Sequence, residues 1–507
     1  MGLLTLPLEL LIHIFALLEG HEIVRCITVC SYFKQAIEDS ITLQYFIKLD
    51  MFGYTNGPGN VDAARLSQLE RHIDAWNKLD WVESRIDLPA WRSLTKTLRG
   101  GVYATSNATE MTCIQLPSLS RGVPLRTWKL TFEPRVHQTE IDPSNNLLVV
   151  LALMRESPPD SFALHLRTLS DNIPHPSAAS PILFPEIPPF SYHGPCRIRV
   201  MGFLIGLADM GALEIWNWTT GQKITMVRAD TPRVTFGPFE FLSTTSFLLP
   251  CDGRLEVYQV PMESPGAPPL HTASFCMPDL IPGHAWICWI SHMPRASHNM
   301  DNGDRLASPS SLPPPPFRMT KDSRCIEMSW VVYEVHYAGR ESLNTPFQVP
   351  LSSLHHSAIY PNPLEIPWDA WSKGVYFVKE ARGEVSSKMS GGRHIHLTHS
   401  SDSHYTVSLL DLNRYRAGAL GTNADSSIDD EQSRDPIKSD VFSLGEMRVG
   451  HRFPVHVASR SLSLGGYRPS PLICDDECII IHAFPPPEAS PVFAEEYKFD
   501  KLIILSF

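Results

Sequence analysis

The fold of most of this chain can be read from residues 203–224, FLIGLADMGALEIWNWTTGQKI. This unit contains an apolar strand, a tight turn, a second strand that ends near Asn217, and a Thr-Gly turn. Residues 246–260, SFLLPCDGRLEVYQV, repeat that order with an Asp-Gly turn, and have Leu-Glu-Val-Tyr where the first unit has Leu-Glu-Ile-Trp. Recurrence of one strand-and-turn unit after ~40 residues predicts a repetitive antiparallel architecture.

Short apolar segments of the same kind continue to the C-terminus. They lie at 147–154, 162–169, 197–208, 212–218, 246–250, 254–260, 327–337, 405–412, 478–484 and 501–507. Turn-forming pairs and proline runs separate them without intervening helical patterns, which predicts a large all-β domain over residues 101–507.

The length of the repeat favours one β architecture. A period of ~40–50 residues is typical of β-propeller blades, so we expect roughly seven or eight blades. The unit resembles a degenerate WD-type repeat, with Asn217 where that repeat has Asp. The strongly apolar segment KLIILSF (501–507) is expected to complete a blade begun by the first strand and so close the ring. A pair of β-sandwiches is the alternative fold.

Residues 1–50 have a helical pattern instead. On a wheel of ~100° per residue, the helix after Pro7 has two apolar stripes, one around Leu10, Ile14 and Leu17 and a second around Leu11 and Phe15. A surface helix needs an apolar stripe little wider than ~100°, and this one has roughly twice that width. Further helices are predicted from about residue 23 to 37 and from 41 to 49. Three short helices are near the lower size limit for independent folding.

Two interpretations of the second stripe follow from periodicity alone. Either these helices form part of one larger core within the chain, or they are a half-domain whose surplus apolar surface is covered by a partner.

The order of residues distinguishes the two. The stretch LPLELLIHIFALLEGHEIVRCITVCSYFKQAI (6–37) resembles the F-box motif, which spans residues 5 to about 48 here. Leu6-Pro7, Glu9, Ile14-Phe15 and Val29-Cys30 stand at motif positions, and Phe33 replaces a common Trp. The resemblance implies that a Skp-family adaptor, which docks on a cullin scaffold, contacts Leu6, Pro7, Leu10, Ile14, Leu17, Val29, Cys30 and Phe33.

The whole layout is similar to that of fungal F-box proteins with a propeller-like C-terminal region. The segments that carry this likeness are ITLQYFIKLDMFGY (41–54), RLSQLERHIDAWNKLDW (65–81) and IPWDAW (366–371). The resemblance implies a multidomain chain with an F-box at 1–50, a helical connector at 51–100 and a substrate-recognition domain at 101–507. Two polar segments, 295–320 and 417–440, are expected to be disordered loops.

Composition limits the function classes. The net charge of −11, from 54 acidic and 43 basic residues, gives no overall attraction for nucleic acid. Glu9 and His13 interrupt the first apolar run, so neither a signal peptide nor a membrane anchor is expected, and we predict a soluble cytoplasmic or nuclear protein.

Motifs for catalysis or metal binding are weak. No phosphate-binding, zinc-protease or nucleophile-elbow motif occurs, so we expect no catalytic residue, cofactor or metal. Cys474 and Cys478 lack a second cysteine pair and are interpreted as a charged turn. Four clustered histidines are predicted to lie on a surface strand and the turn after it: His394, His396, His399 and His404. The tryptophans are predicted to be core residues: Trp76, Trp81, Trp91, Trp128, Trp216, Trp218, Trp368 and Trp371.

The function that these patterns favour is that of a substrate-recognition subunit of an SCF-type (Skp, cullin, F-box) ubiquitin ligase. Its target protein is not identifiable from the sequence. Two alternatives remain, an F-box scaffold outside any ligase and a hydrolase built on the β domain.

Overall fold

A computed structural model gives the fold of the chain. It describes residues 4, 6–89, 95–133, 136–153, 162–186, 196–209, 212–228, 239–251, 253–282, 284–292, 313–320, 325–334, 341–350, 354, 364–372, 375–377, 384–390, 392–401, 404–411, 437–438, 446–447, 455–485 and 499–507.

Five helices precede the β domain. They are α1 (Leu8–Phe15), α2 (Gly20–Ile27), α3 (Ser31–Glu38), α4 (Ile41–Met51) and α5 (Ala63–Lys78). We call α1 to α4 the helical unit. The predicted helix over 23–37 is wrong, because the chain breaks it into α2 and α3. Cys30 has an extended backbone there, and its Sγ accepts the Phe33 N–H at 3.5 Å as the cap of α3.

One apolar cluster holds the four helices of the helical unit together. Its buried members are Leu11, Phe15, Ile23, Phe33, Ala36, Ile37, Leu43 and Ile47. Gly20 lets α2 approach α4 closely, since a Cβ at that position would lie 2.5 Å from Cβ of Asp50. The small helices therefore have a packed core of their own.

Seven antiparallel sheets follow one another along the chain. The first three are β3 (Thr95–Arg99), β4 (Val102–Ser106), β5 (Glu110–Gln115) and β6 (Arg126–Thr131); β7 (Val136–Asp142), β8 (Leu147–Leu153), β9 (Phe162–Thr168) and β10 (Ile182–Leu183); and β11 (Arg197–Met201), β12 (Leu204–Asp209), β13 (Ala212–Asn217) and β14 (Gln222–Arg228). These seven are the sheets of four or more strands in the described part of the chain.

The next three sheets continue this order. They are β15 (Glu240–Ser243), β16 (Ser246–Cys251), β17 (Arg254–Gln259) and β18 (Leu270–Cys276); β19 (His284–His292), β21 (Cys325–Glu334), β22 (Glu341–Pro350) and β24 (Tyr376–Phe377); and β25 (Glu384–Ser390), β26 (Arg393–Ser401), β27 (His404–Asp411) and β30 (Val455–Ser463). The fourth sheet gains a parallel fifth strand, β23 (Leu364–Ile366), which leads into helix α6 (Trp368–Trp371).

The seventh sheet joins the two ends of the β domain. It contains β31 (Arg468–Pro469), β32 (Ile473–Cys474), β33 (Cys478–Phe484), β34 (Phe499–Ser506) and β2 (Val82–Pro89). Strand β2 pairs antiparallel with β34 from Val82 opposite Ser506 to Pro89 opposite Phe499. This pairing confirms that the last strand closes the ring by sharing a blade with the first blade strand, which lies at 82–89, before the predicted start of the domain at residue 101.

The sheets form a closed ring. The first strands β3, β7, β11 and β15 contact their neighbours in turn, and β25 contacts both the fifth and the seventh sheet. Apolar clusters fill the spaces between adjacent sheets, and the cluster with Tyr103 and Ile480 joins the seventh sheet to the first. The fold is therefore a β-propeller with seven blades in the described residues, as the repeat predicted, and not a pair of β-sandwiches.

The segment 51–100 contains less helix than expected. Among the described residues of this segment, α5 is the one helix that follows α4, and β2 and β3 already belong to blades. Helical periodicity ends at Lys78, and Leu79 adopts a left-handed conformation (φ 49°) that terminates α5. The connector is thus a single helix between the helical unit and the closing strand.

The two segments predicted to be disordered lie mostly outside the described residues. Phe317–Met319, at the end of the first segment, instead form strand β20, which pairs with β1 (Tyr54–Asn56). Ile437–Lys438, in the second, form β28 and pair with β29 (Glu446–Met447). These short strands find partners elsewhere in the fold, which a composition argument does not detect.

Candidate functional site

The two apolar stripes of α1 have different environments. Leu11 and Phe15 point into the helical unit and are 0% and 3% exposed. On the other stripe Leu10 is 51% exposed and Ile14 36%, and Leu17, in the turn that follows α1, is 86% exposed. The surplus width of the helix therefore remains on the surface, and the propeller does not cover it.

The residues before α1 and those between α2 and α3 add to this exposed apolar surface. Pro7 is exposed and precedes α1, and its carbonyl accepts the N–H groups of Leu10 and Leu11 at 3.1 and 3.2 Å. Leu6 is half-buried. At the corner Val29 is 65% exposed and Cys30 is half-buried.

Phe33 does not belong to the exposed surface. Its side chain is only 6% exposed and meets the Phe15 ring edge to face, with centroids 5.2 Å apart. The break before α3 rotates Phe33 inward, so its assignment as a contact residue is corrected to a core residue. The outward face then consists of Leu6, Pro7, Leu10, Ile14, Leu17, Val29 and Cys30.

Sequence reasoning missed other exposed apolar side chains on the helical unit. Leu8 is 42% exposed, Val24 41%, Tyr32 39% and Ile41 45%. The helical periodicity contained Leu8 and Val24 as added width on the first and second predicted helices, but none of these four residues was assigned as a contact residue. Charged and exposed residues such as Glu9, Glu19, Arg25 and Lys34 lie among them.

The helical unit is fixed to the propeller through α5. The indole N–H of Trp76 donates to the carbonyl of Asp476 at 3.1 Å, and the Trp76 ring stacks on Phe507. The guanidinium of Arg393, from the sixth blade, lies 4.4 Å from the Trp76 ring centroid and donates to the Tyr54 hydroxyl at 2.5 Å. Buried aromatic and charged contacts thus connect α5 and β1 to the sixth and seventh blades.

The histidine cluster is buried rather than on the surface. His394 and His396 are 2% and 3% exposed, and their ring centroids are 4.0 Å apart. Nδ1 of His396 lies 2.8 Å from the Glu384 carboxylate. Burial lowers the pKa of His394 to about 3, with a further contribution from His396. The surface interpretation of these two is wrong, because β26 is the second strand of a blade with neighbours on both faces, whereas His404 is exposed.

The Cys474–Cys478 segment is a turn, as predicted. The Asp475 carboxylate accepts the N–H groups of Glu477 and Cys478 at 2.9 and 2.8 Å, which closes the connection from β32 to β33. Burial raises the pKa of Asp475 to about 7. Within the described ranges, no group of three His, Cys, Asp or Glu side chains is arranged to hold a metal ion.

The tryptophans occupy the core. Those that are buried are Trp76, Trp81, Trp216, Trp218, Trp368 and Trp371. Trp128 is half-buried, and Trp91 lies outside the described residues. None of the helices that the structure describes is both long and apolar enough to cross a bilayer.

Comparisons with known proteins identify one family match and several similar solved structures. The F-box-like family model matches residues 3–46. Among solved structures, the C-terminal WD40 domain of Sif2 is similar at 9% identity and a TM-score of 0.38, with coverage of 83% of this chain and 97% of that one. The WD40 domain of SCAP from fission yeast is similar at 8% identity and a TM-score of 0.36, with 82% of each chain covered.

No curated protein sequence matches the chain. The blade assignment rests on the strand pairing within the chain itself. The chain therefore carries an F-box-like segment at residues 3–46, followed by a connector helix and a β-propeller that has seven blades in the described residues.

Proposed function

We propose that this chain is the substrate-recognition subunit of an SCF-type ubiquitin ligase, with a Skp-family adaptor bound to the outward face of the helical unit. The observation that carries the proposal is the exposed stripe of Leu10 and Ile14 on α1, continued by Leu17 in the turn after it, while the opposite stripe of Leu11 and Phe15 is packed. This stripe lies within the segment that matches the F-box-like family.

The energetics favour a protein partner. Burial of one Leu or Ile side chain contributes roughly 1.5–3 kcal/mol. Leu10, Ile14, Leu17 and Val29 together can offset an association cost on the order of 4–15 kcal/mol. A cullin scaffold would then be recruited through the adaptor.

The position of the helical unit favours one propeller face for the target. In each blade, the turns between strands one and two and between strands three and four share one face. Asp476 and Ser120, which lie in such turns, both accept hydrogen bonds from α5. The opposite face carries the turns between strands two and three and the links between blades. We assign target binding to that face, because these two hydrogen bonds of α5 lie on the other one.

In this function the chain itself is not catalytic. Its contribution is proximity, because it would hold a lysine of the target near a loaded conjugating enzyme. In this proposal the adaptor and the target bind on opposite sides of the propeller, which suits such a role.

The test is binding of the full chain to a purified Skp-family adaptor, followed by reconstituted ubiquitin transfer. Leu10→Ser combined with Leu17→Ser should abolish adaptor binding and transfer without unfolding the propeller. The matched control is Leu270→Ser, at a side chain 62% exposed on β18, and should bind normally.

The outcomes separate the three functions. Adaptor binding without any ubiquitin transfer, with all ligase components present, would favour a scaffold. A hydrolytic activity that Leu10→Ser and Leu17→Ser leave unchanged would favour an enzyme. Wild-type protein that fails to bind the adaptor would contradict the proposal.

A further inference from the structure

The guanidinium of Arg65, on α5, is surrounded by hydrogen-bond acceptor oxygens, which we call the cage. The residue is 8% exposed, and the guanidinium makes one hydrogen bond for each of its five N–H groups. The acceptors are the Tyr45 hydroxyl at 3.1 Å and the carbonyls of Gly57 at 2.9 Å, Pro58 at 3.1 Å, Asn60 at 3.3 Å and Pro316.

These acceptors come from two separate parts of the chain. Gly57, Pro58 and Asn60 form the loop between β1 and α5, whereas Pro316 belongs to the fifth blade, between β19 and β21. We call residues 313–320 the proline strap. The Pro316 carbonyl accepts the Gly57 N–H at 2.8 Å as well as the Arg65 guanidinium. A run of prolines offers carbonyls but no N–H groups, which suits it to a cationic donor.

The loop is shaped to receive the strap. A Cβ on Gly57 would lie 2.2 Å from the Pro315 carbonyl oxygen and 2.8 Å from that of Pro316. Beyond this contact, the strap continues as β20, which pairs with β1, and the Thr320 N–H donates to the Gly53 carbonyl at 2.8 Å. The strap and the loop therefore meet backbone to backbone.

We infer that Arg65 is a positioning residue, which locks the proline strap of the fifth blade onto the β1–α5 loop and so fixes the orientation of the helical unit on the propeller. Other contacts of α5 involve the first, sixth and seventh blades, through Ser120, Arg393, Asp476 and Phe507. The cage adds an attachment to the fifth blade, and separated attachment points on several blades define an orientation. This inference concerns the joint and holds whichever partner binds the outward face.

The test is Arg65→Met in the full chain, measured by amide hydrogen exchange and small-angle X-ray scattering. We expect exchange at the Gly57 and Thr320 amides to accelerate on the order of tenfold or more, as the loss of hydrogen bonds to a charged group implies. The radius of gyration should rise, while amides in the blade cores keep their protection. Arg71→Met, at an exposed position of the same helix, should change neither quantity.

A rescue experiment separates positioning from general destabilisation. Thr55 and Arg318 face each other in the β1–β20 register, so a disulfide between Thr55→Cys and Arg318→Cys would hold the strap without the cage. In the Arg65→Met background this cross-link should restore the wild-type radius of gyration and slow exchange at Thr320. Failure to restore either, with the disulfide formed, would overturn the inference.

Two further variants keep the inference testable if Arg65→Met does not fold. Arg65→Lys retains the charge but not the planar fork, and should show an intermediate increase in exchange. Gly57→Ala should displace the strap, because the new Cβ would clash with the strap carbonyls. Gly392→Ala should not, because a Cβ there would have its nearest neighbouring atom at 4.0 Å. Unchanged exchange at Thr320 in Gly57→Ala would contradict the inference. Leu17→Ser should leave the strap protected, so failure of adaptor binding is distinguishable from failure here.

Discussion

The ring of Phe507 stacks on Trp76, with centroids 3.9 Å apart and planes 15° from parallel. Trp76 belongs to the connector helix, and Phe507 follows the strand that closes the propeller. The contact joins the start of the β domain to its end at the point where the helical unit attaches.

Phe507→Ala should therefore destabilise the whole chain. Phe507 is 2% exposed and its replacement leaves a cavity beside Trp76 and Trp81, for which we expect a loss of about 3–5 kcal/mol in the free energy of unfolding. Chemical denaturation checks the value. Phe184→Ala, at a ring 60% exposed, is the control and should lie within about 0.5 kcal/mol of wild type.

Replacement of the neighbouring residues Leu10 and Leu11 on α1 should have different effects, one on adaptor binding and the other on stability. Leu11→Ala removes a fully buried side chain and should destabilise the helical unit by about 2–5 kcal/mol. Leu10→Ala should change its stability by less than about 0.5 kcal/mol but weaken adaptor binding. Amide exchange within α1 to α4 measures the first effect and calorimetric titration the second. Equal destabilisation by both variants would show that the outward stripe is not free.

Strand β2 should be necessary for the propeller. A chain that begins at residue 90 retains β3 but lacks the outer strand of the seventh blade, and it leaves the apolar edge of β34 unpaired. We expect that chain to aggregate, because exposed apolar edge strands associate. A chain that begins at residue 79 retains β2 and should be more soluble, as size-exclusion chromatography can test. Equal behaviour of the two would argue against closure by β2.

Gly206 should not tolerate a side chain. A Cβ there would lie 2.3 and 2.6 Å from atoms of the Phe239 ring, inside the contact between the third and fourth blades. Gly206→Ala should therefore cost about 1–3 kcal/mol through overpacking. Thermal unfolding checks this prediction, with Gly392→Ala as the control. An unchanged melting temperature would mean that the ring moves aside without strain.

The buried His394 should make the protein sensitive to acid. Its folded pKa of about 3 lies below the unfolded value of ~6.5, so between these values the unfolded state binds more protons. Stability is then lost as the pH falls from 6.5 towards 3, by at most ~1.4 kcal/mol per pH unit from this group. The charged and titratable groups that face it are His396, Glu384 and Lys388.

His394→Gln removes this titration and should flatten the dependence of unfolding free energy on pH between 6 and 4. His404→Gln, at an exposed position on the adjoining strand, serves as the control. Identical slopes for His394→Gln and wild type would show that other groups account for the acid sensitivity.

Much of the fold could be predicted because its patterns are local. The strands at 147–154, 162–169 and 478–484 were located within a residue or two, since apolar β-branched runs between turn residues specify strands without reference to the rest of the fold. The two stripes of α1 were also visible as periodicity. The break at Cys30 could not be predicted from periodicity. It depends on the Cys30 sulfur acting as the N-cap of α3, and cysteine is not one of the residues that usually cap helices.

The amino-acid sequence alone thus determined the helical start, the repeated blades, and the apolar surplus on α1, because hydrophobic periodicity expresses which side of an element seeks burial. Tertiary structure decided which of these side chains are buried and which residues they contact. Leu10 stays on the surface while Phe33 turns inward, His394 is buried, and Pro316 reaches Arg65 across 251 positions of chain. Contacts between residues so far apart arise only when the ring has closed, and no local pattern records them.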